Sequence, residues 1–205
     1  MRDIVRLVVV LTLVCIVAAV ALAKVYDFTK GPIAEQRRLA RLKAVEAVLP
    51  EHENHPDQDI IEVDLRSGEK KMVYLGYSEN KLNGLAFEIR NKEGYGGEIV
   101  AMLGMDPDGA IYGVEIVRHG ETPGLGAKIT NPEFRAQFKG KSLANTNFML
   151  KKDGGDLDQV TGATISPRAI VKGIKEGLEF FKGHQKEIIT SYIQKDSNST
   201  MEDKT

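Results

Sequence analysis

The chain has 205 residues with 28 Lys+Arg against 29 Asp+Glu, a net charge of -1, so its overall charge gives no reason to expect a nucleic-acid partner. Hydrophobic residues at 42% exclude wholesale disorder. One cysteine, Cys15, excludes an internal disulfide framework and any multi-cysteine zinc or iron–sulfur site, while the absence of Trp and an aromatic content of only 6% argue against a base-stacking surface.

Leu7 to Ala23 is an uncharged run of 17 residues rich in Val, Leu and Ala, extended by Ile4 and Val5 and interrupted only by Arg6. Arg6 can snorkel to an interface, and the run reaches the length of about 20 residues that a spanning helix needs. Ala21-Leu22-Ala23 resembles a small-residue cleavage site. The run nevertheless exceeds a signal h-region of roughly 7–15 residues, so an uncleaved anchor over 1–25 is expected. Cys15 reads as an apolar thiol within it. The basic residues that follow, Lys24, Lys30, Arg37, Arg38, Arg41 and Lys43, would by simple counting hold the downstream side in the cytoplasm. That rule weakens for long segments, which translocate largely regardless of charge, so the bulk of the chain is expected to be exported.

Residues 26–58 read as a juxtamembrane helix and an acidic linker. Ile33, Leu39, Leu42, Val45 and Leu49 follow a helical spacing from Pro32, with Arg37, Arg38 and Arg41 on its wet face and Pro50 as its stop. His52 and His55 lie three apart in a polar loop without an evident third ligand, so no metal is expected there. Strands are expected at Ile60–Arg66, Met72–Tyr77, Leu85–Arg90, Glu98–Met105 and Ala110–Val117. Ser67-Gly68, Asn83-Gly84 and Asp106-Pro107-Asp108-Gly109 are the turn signals between them. A short helix at Pro132–Phe138 and a strand at Phe148–Leu150 follow.

Ser166-Pro167 signals a helix start, with Ser at the cap and Ile170, Val171, Ile174, Leu178 and Phe181 as the apolar face. Glu187–Ile193 reads as a last short helix. Residues 195–205 read as a polar, disordered tail whose Asn198-Ser199-Thr200 triplet matches the glycosylation sequon by chance. Strands first and a long helix late, without regular βα alternation, predict an α+β fold, here a domain over 59–194 of antiparallel or mixed sheet with flanking helices.

One segment carries chemistry. Asp158-Gln159-Val160-Thr161-Gly162-Ala163-Thr164 runs straight into the last long helix. Gly162 and Ala163 remove bulk, and Thr164 places a hydroxyl near free N–H groups at a helix end that favours anions, phosphate above all. By its residues alone the segment is first a helix cap with a small-residue turn, and second a phosphate site.

The same residues resemble the attachment motif Asp-x-x-Thr-Gly-Ala-Thr of the covalent FMN-binding domain family, which includes the G subunit of the Rnf complex and the C subunit of the sodium-translocating NADH:quinone reductase. Gly94-Tyr95-Gly96-Gly97-Glu98-Ile99 and His119-Gly120-Glu121-Thr122-Pro123-Gly124-Leu125-Gly126 also resemble the Rnf protein, and the likeness extends from the anchor to about residue 182.

The resemblance implies FMN joined by a phosphoester to Thr164. It also implies a recognition motif of Asp158, Thr161, Gly162, Ala163 and Thr164 read by an exported, FAD-dependent flavin transferase. Thr161, Gly162 and Ala163 would contact the cofactor, and Glu121, Thr122, Gly124 and Leu125 would line its ring. Tyr95 could pack on the flavin or on the core, and His119 reads as structural. No catalytic or metal-binding residue is expected.

No nicotinamide fingerprint, cluster cysteines or multi-span channel is apparent, so the implied role is a redox subunit that is not catalytic alone. It would be an electron carrier in a membrane-bound, ion-translocating ferredoxin:NAD oxidoreductase of the Rnf type, single-pass in the plasma or inner membrane and partnered by other membrane subunits. Three alternatives are a stand-alone anchored FMN carrier for an extracellular reductase, the C subunit of the quinone reductase, and a non-flavin anchored binding module.

Overall fold

The computed structural model describes residues 1–65, 68, 70–79 and 81–202, with side chains up to residue 193 in the last helix. The chain divides into two compact units, Met1–Ala40 and Arg41–Thr205.

In the first unit the apolar run is helical, within α1 (Arg2–Val48). Ile4, Leu7, Leu11, Ile16 and Leu22 are all more than half exposed, and the helix is long and apolar enough to cross a membrane. In water such a surface would be costly; in lipid it is matched. The hydroxyl of Thr12 donates to the Val8 carbonyl at 2.8 Å, so the run's one hydroxyl is satisfied within the helix. Pro32 lies inside α1 rather than at a helix start. Its missing N–H removes one helical bond, and its fixed φ is already helical. The helix ends just before Leu49-Pro50, where the sequence places the stop.

The second unit is built on a five-stranded antiparallel sheet in the order β1-β2-β3-β4-β5. The strands are β1 (Ile60–Asp64), β2 (Lys70–Ser78), β3 (Lys81–Gly94), β4 (Gly97–Met105) and β5 (Ile111–Arg118). This is the expected α+β arrangement, with each strand paired to the next. Two strands are longer than their alternation suggests. Asn83-Gly84 lies inside β3 instead of forming a turn, and part of the Ser67-Gly68 signal lies outside the described residues. Asp106 makes the expected hairpin, its carboxylate accepting the N–H groups of Asp108 at 3.0 Å and Ala110 at 2.8 Å.

Helix α3 (Ile165–Glu202) covers one face of the sheet; the shorter α2 (Pro132–Ala136) lies where the sequence places it. Ala169, Ile170, Ile174, Leu178 and Phe181 share a core with Val73, Leu75, Leu85, Phe87, Ile89, Ile99 and Leu103. The two expected C-terminal helices are thus one. No Pro or Gly interrupts the chain after Gly183, so the helix continues through Glu202, where a disordered tail is expected. The Asn198 sequon falls among residues whose side chains are not described.

The other face takes the end of α1. Ala44, Val45, Val48 and Leu49 bury against Tyr74, Ala86 and Met102, so β2 to β4 are covered on both sides. This explains unbroken apolar runs such as Leu85-Ala86-Phe87. Glycines seat the helix end. A Cβ on Gly84 would lie 2.5 Å from Pro50 Cδ, and one on Gly104 would lie 2.6 Å from the Val48 carbonyl carbon. Gly84 is therefore placed for close approach and not for a turn. Gly104→Ala should destabilise the unit by about 3 kcal/mol, because the obstructing atom is backbone. Gly31→Ala, with nothing within 4 Å of the added carbon, should not. Thermal melts of the two variants check this.

Candidate functional site

The Asp158–Thr164 segment forms a tight turn between the sheet domain's irregular loops and α3. The Ala163 N–H bonds the Val160 carbonyl at 3.2 Å, and Gly162 takes φ +83°, which L side chains rarely adopt. Thr164 precedes the first residue of α3, and its carbonyl accepts the Arg168 N–H at 3.3 Å. That bond puts Thr164 at the N-cap position, two residues before the expected cap, Ser166. Thr164 is half-buried, at the end of the helix where the first N–H groups lack intrahelical partners.

A lysine comes to that hydroxyl from elsewhere. Lys152 Nζ donates to Thr164 Oγ1 at 2.6 Å. Lys152 sits on a 3-10 turn at Lys151–Asp153, where a strand is expected nearby at Phe148–Leu150; only an isolated bridge between Leu150 and Leu157 forms there. The turn is tied to α3 by Arg168, whose guanidinium binds both Asp153 carboxylate oxygens, at 2.7 and 2.5 Å. Hydrogen bonding from Arg168 holds the Asp153 carboxyl below its usual range. Asp158 is exposed and pairs with Lys151 at 2.7 Å. Gln137 fixes the backbone there, accepting the Asp158 N–H at 2.6 Å.

The loop from Glu121 to Gly126 lies against this turn. A Cβ on Gly162 would sit 3.1 Å from Leu125 Cδ2, so the Leu125 side chain rests on the glycine while staying 46% exposed. Thr122, Pro123 and Gly124 are exposed, and the Thr122 carbonyl accepts the N–H groups of Leu125 and Ala127 at 3.2 and 3.1 Å. Ile165, the residue after Thr164, is 47% exposed, and Tyr95 at the β3–β4 tip is 71% exposed, so Tyr95 is no core residue.

Glu121 differs from its loop neighbours. It is only 4% exposed, and its carboxylate points inward. One oxygen accepts the Gly96 N–H at 3.1 Å, and the other accepts the Ser166 hydroxyl. Its own N–H donates to His119 Nδ1 at 3.1 Å, which gives His119 the expected structural role. Small residues permit this convergence, because a Cβ on Gly126 would lie 2.6 Å from a Glu121 oxygen. Glu121 thus joins the Gly94–Gly97 hairpin, its own loop and the start of α3. It does not turn its charge toward an open surface.

A cleft of about 290 Å³ adjoins the turn, lined by Lys128, Asn131, Phe134, Gln137, Asp158 and Thr161 among others. Away from this region, His52 bonds the Pro50 carbonyl at 2.8 Å and pairs with Glu46 at 3.2 Å. Among the described residues no group of three or more His, Cys, Asp or Glu is placed to hold a metal.

The structure therefore brings Thr161, Gly162, Ala163, Thr164 and Leu125 together, as the sequence suggests. It adds Lys152, Asp153 and Arg168, which no motif spacing points to, and turns Ser166, the expected cap, inward to Glu121. The combination fits a flavin nucleotide held by its phosphate. A hydroxyl, a lysine ammonium and a helix N-terminus meet at an accessible point, and apolar side chains lie exposed around it.

Comparison with known proteins bears on the cofactor and the family. The FMN-binding domain model matches residues 94–179, and the RnfG N-terminal region model matches residues 1–48. The G subunit of the ion-translocating oxidoreductase complex of Aliivibrio fischeri strain MJ11 is 38% identical over 192 residues, covering 88% of this chain and 91% of the relative. The protein of that name from Stutzerimonas stutzeri is 41% identical over 177 residues, covering 83% and 77%. The crystal structure of NqrC from Shewanella oneidensis superposes with a TM-score of 0.50 at 25% identity, covering 60% of this chain and 63% of that one.

Proposed function

The chain belongs to the RnfG family, the G subunits of ion-translocating oxidoreductase complexes, and from that footing we propose that it carries FMN esterified to Thr164 and passes electrons through it. It is a subunit with an FMN-binding domain in a membrane-bound, ion-translocating oxidoreductase complex, so its partners include the other subunits of that complex. The observation that carries the covalent reading is the Thr164 hydroxyl, half-buried at the start of α3 and held by Lys152 at 2.6 Å.

A threonine hydroxyl is a poor nucleophile, and Lys152 reaches it as a hydrogen-bond donor, not as a base. The ester is accordingly made by a separate flavin transferase with FAD as donor. Asp158, Thr161, Gly162 and Ala163 lie exposed or half-exposed around the turn, where such an enzyme can read them. Residues 1–25 anchor the chain, and the flavin domain lies on the outer face of the membrane. Once bound, FMN supplies reversible electron transfer; the protein positions it. In the complex this serves ferredoxin:NAD oxidoreduction coupled to ion transport.

Thr122, Gly124 and Leu125 face the flavin, with Leu125 resting on the attachment turn. Glu121 supports that loop from within. Covalent attachment is tested by denaturing electrophoresis of full-length protein produced with its transferase. The band should fluoresce as flavin after complete unfolding. A colourless band from protein whose transferase is demonstrably active contradicts the reading.

A further inference from the structure

Two adjacent lysines flank the attachment turn, and they are treated differently. Lys151 is neutralised by Asp158 at 2.7 Å. Lys152 forms no salt bridge with a carboxylate among the described residues, and the carboxylate beside it, Asp153, is taken by Arg168 through two hydrogen bonds. The Lys152 ammonium instead directs its contact to a neutral hydroxyl, Thr164 Oγ1, at 2.6 Å. A neutral acceptor does not require a cation. An anion built on the same oxygen would.

We propose that Lys152 is the counter-cation of the flavin's phosphodiester. This rests on the reading of Thr164 as the attachment point. Esterification replaces the hydroxyl proton with a phosphorus that carries two non-bridging oxygens and one negative charge. Those oxygens lie just beyond the atom that Lys152 already touches, so the ammonium meets them with a small movement of a flexible side chain. The Asp153–Arg168 clamp fixes the backbone from which Lys152 reaches, and α3, which begins at the next residue after Thr164, adds the favourable field of its N-terminus. The pair is charge-assisted and directional, so Arg can replace Lys, whereas a neutral side chain cannot.

Lys152 is exposed, so its replacement does not threaten the fold. The test uses full-length protein in detergent, produced with the FAD-dependent transferase, as wild type, Lys152→Gln, Lys152→Arg and the control Lys175→Gln on the exposed face of α3. Two quantities are read on loaded material: the phosphodiester resonance in ³¹P NMR, and the difference in thermal midpoint between loaded and unloaded protein.

In Lys152→Gln the resonance should move, and the loading-dependent difference should fall by roughly 2–4 °C, because the new anion is left without its partner. Lys152→Arg should restore both, and Lys175→Gln should match wild type. If loaded Lys152→Gln matches wild type in both readouts, the role of Lys152 is overturned while the attachment stands. If wild type itself carries no FMN at Thr164, the attachment reading falls, and this inference with it.

Discussion

Thr164→Val should give a folded, membrane-anchored protein with no covalent flavin. The substitution keeps the approximate volume and the β-branch of threonine and replaces the hydroxyl with a methyl group. Thr164 is half-buried, and its side chain makes no described bond other than the one to Lys152, so the cost to the fold should stay at or below about 1 kcal/mol, the usual worth of an N-cap side chain. The effect on loading is all-or-none, since the bond needs that oxygen. Thr161 and Ser166 are the nearest other hydroxyls in the segment. Ser166 is buried and donates to Glu121, and Thr161 sits within the turn, three residues before Thr164 at the helix start. Intact mass should therefore show a homogeneous unmodified chain, with circular dichroism and thermal midpoint close to those of unloaded wild type. Retained covalent flavin in this variant would contradict the assignment.

The largest loss of stability in the site should come from Glu121→Ala. The carboxylate is 4% exposed and serves the Gly96 N–H and the Ser166 hydroxyl at once. Removing it leaves the buried Ser166 hydroxyl without a partner and the part-buried Gly96 N–H to solvent, so a loss of about 1–3 kcal/mol is expected. For a unit of this size each kcal/mol lowers the midpoint by roughly 2–4 °C. The loop bearing Thr122 and Leu125 should loosen as well. Glu121→Gln, which keeps one acceptor oxygen, should cost less. An exposed loop carboxylate would show neither effect, so Glu121→Ala with a wild-type midpoint would contradict the buried role.

The parts of the fold readable in the sequence are those with local causes. Alternation gives the five strands, Asp106 to Gly109 gives a hairpin by turn chemistry, and the long uncharged run gives a helix long and apolar enough to cross a membrane. What escapes has tertiary causes. Asn83-Gly84 carries a turn signal, yet Gly84 serves to admit Pro50. Pro32 signals a helix start, yet the chain already runs helically through it. Ser166 has cap chemistry, but Thr164 takes the cap, because Ser166 is turned inward to Glu121.

The same division holds at the site. The Asp158–Thr164 segment is contiguous and has a recognisable pattern, so the sequence exposes it. Lys152 reaches Thr164 across 12 residues only because Asp153 is clamped by Arg168, and no periodicity encodes that. The inward turn of Glu121 is likewise invisible locally. Nothing in a loop of Thr, Pro and Gly signals a buried acid, and only the packing of Gly94, Gly96 and Gly126 around it reveals one.

One peptide carries the decisive bond. Trypsin should release Asp153–Arg168 from the protein purified from its own host, and this fragment contains Thr161, Thr164 and Ser166. It should weigh more than its sequence by FMN less one water, with fragmentation placing the addition on Thr164. The same fragment at its unmodified mass, from protein made where the transferase is active, or FMN carried on another residue, would contradict covalent attachment at Thr164.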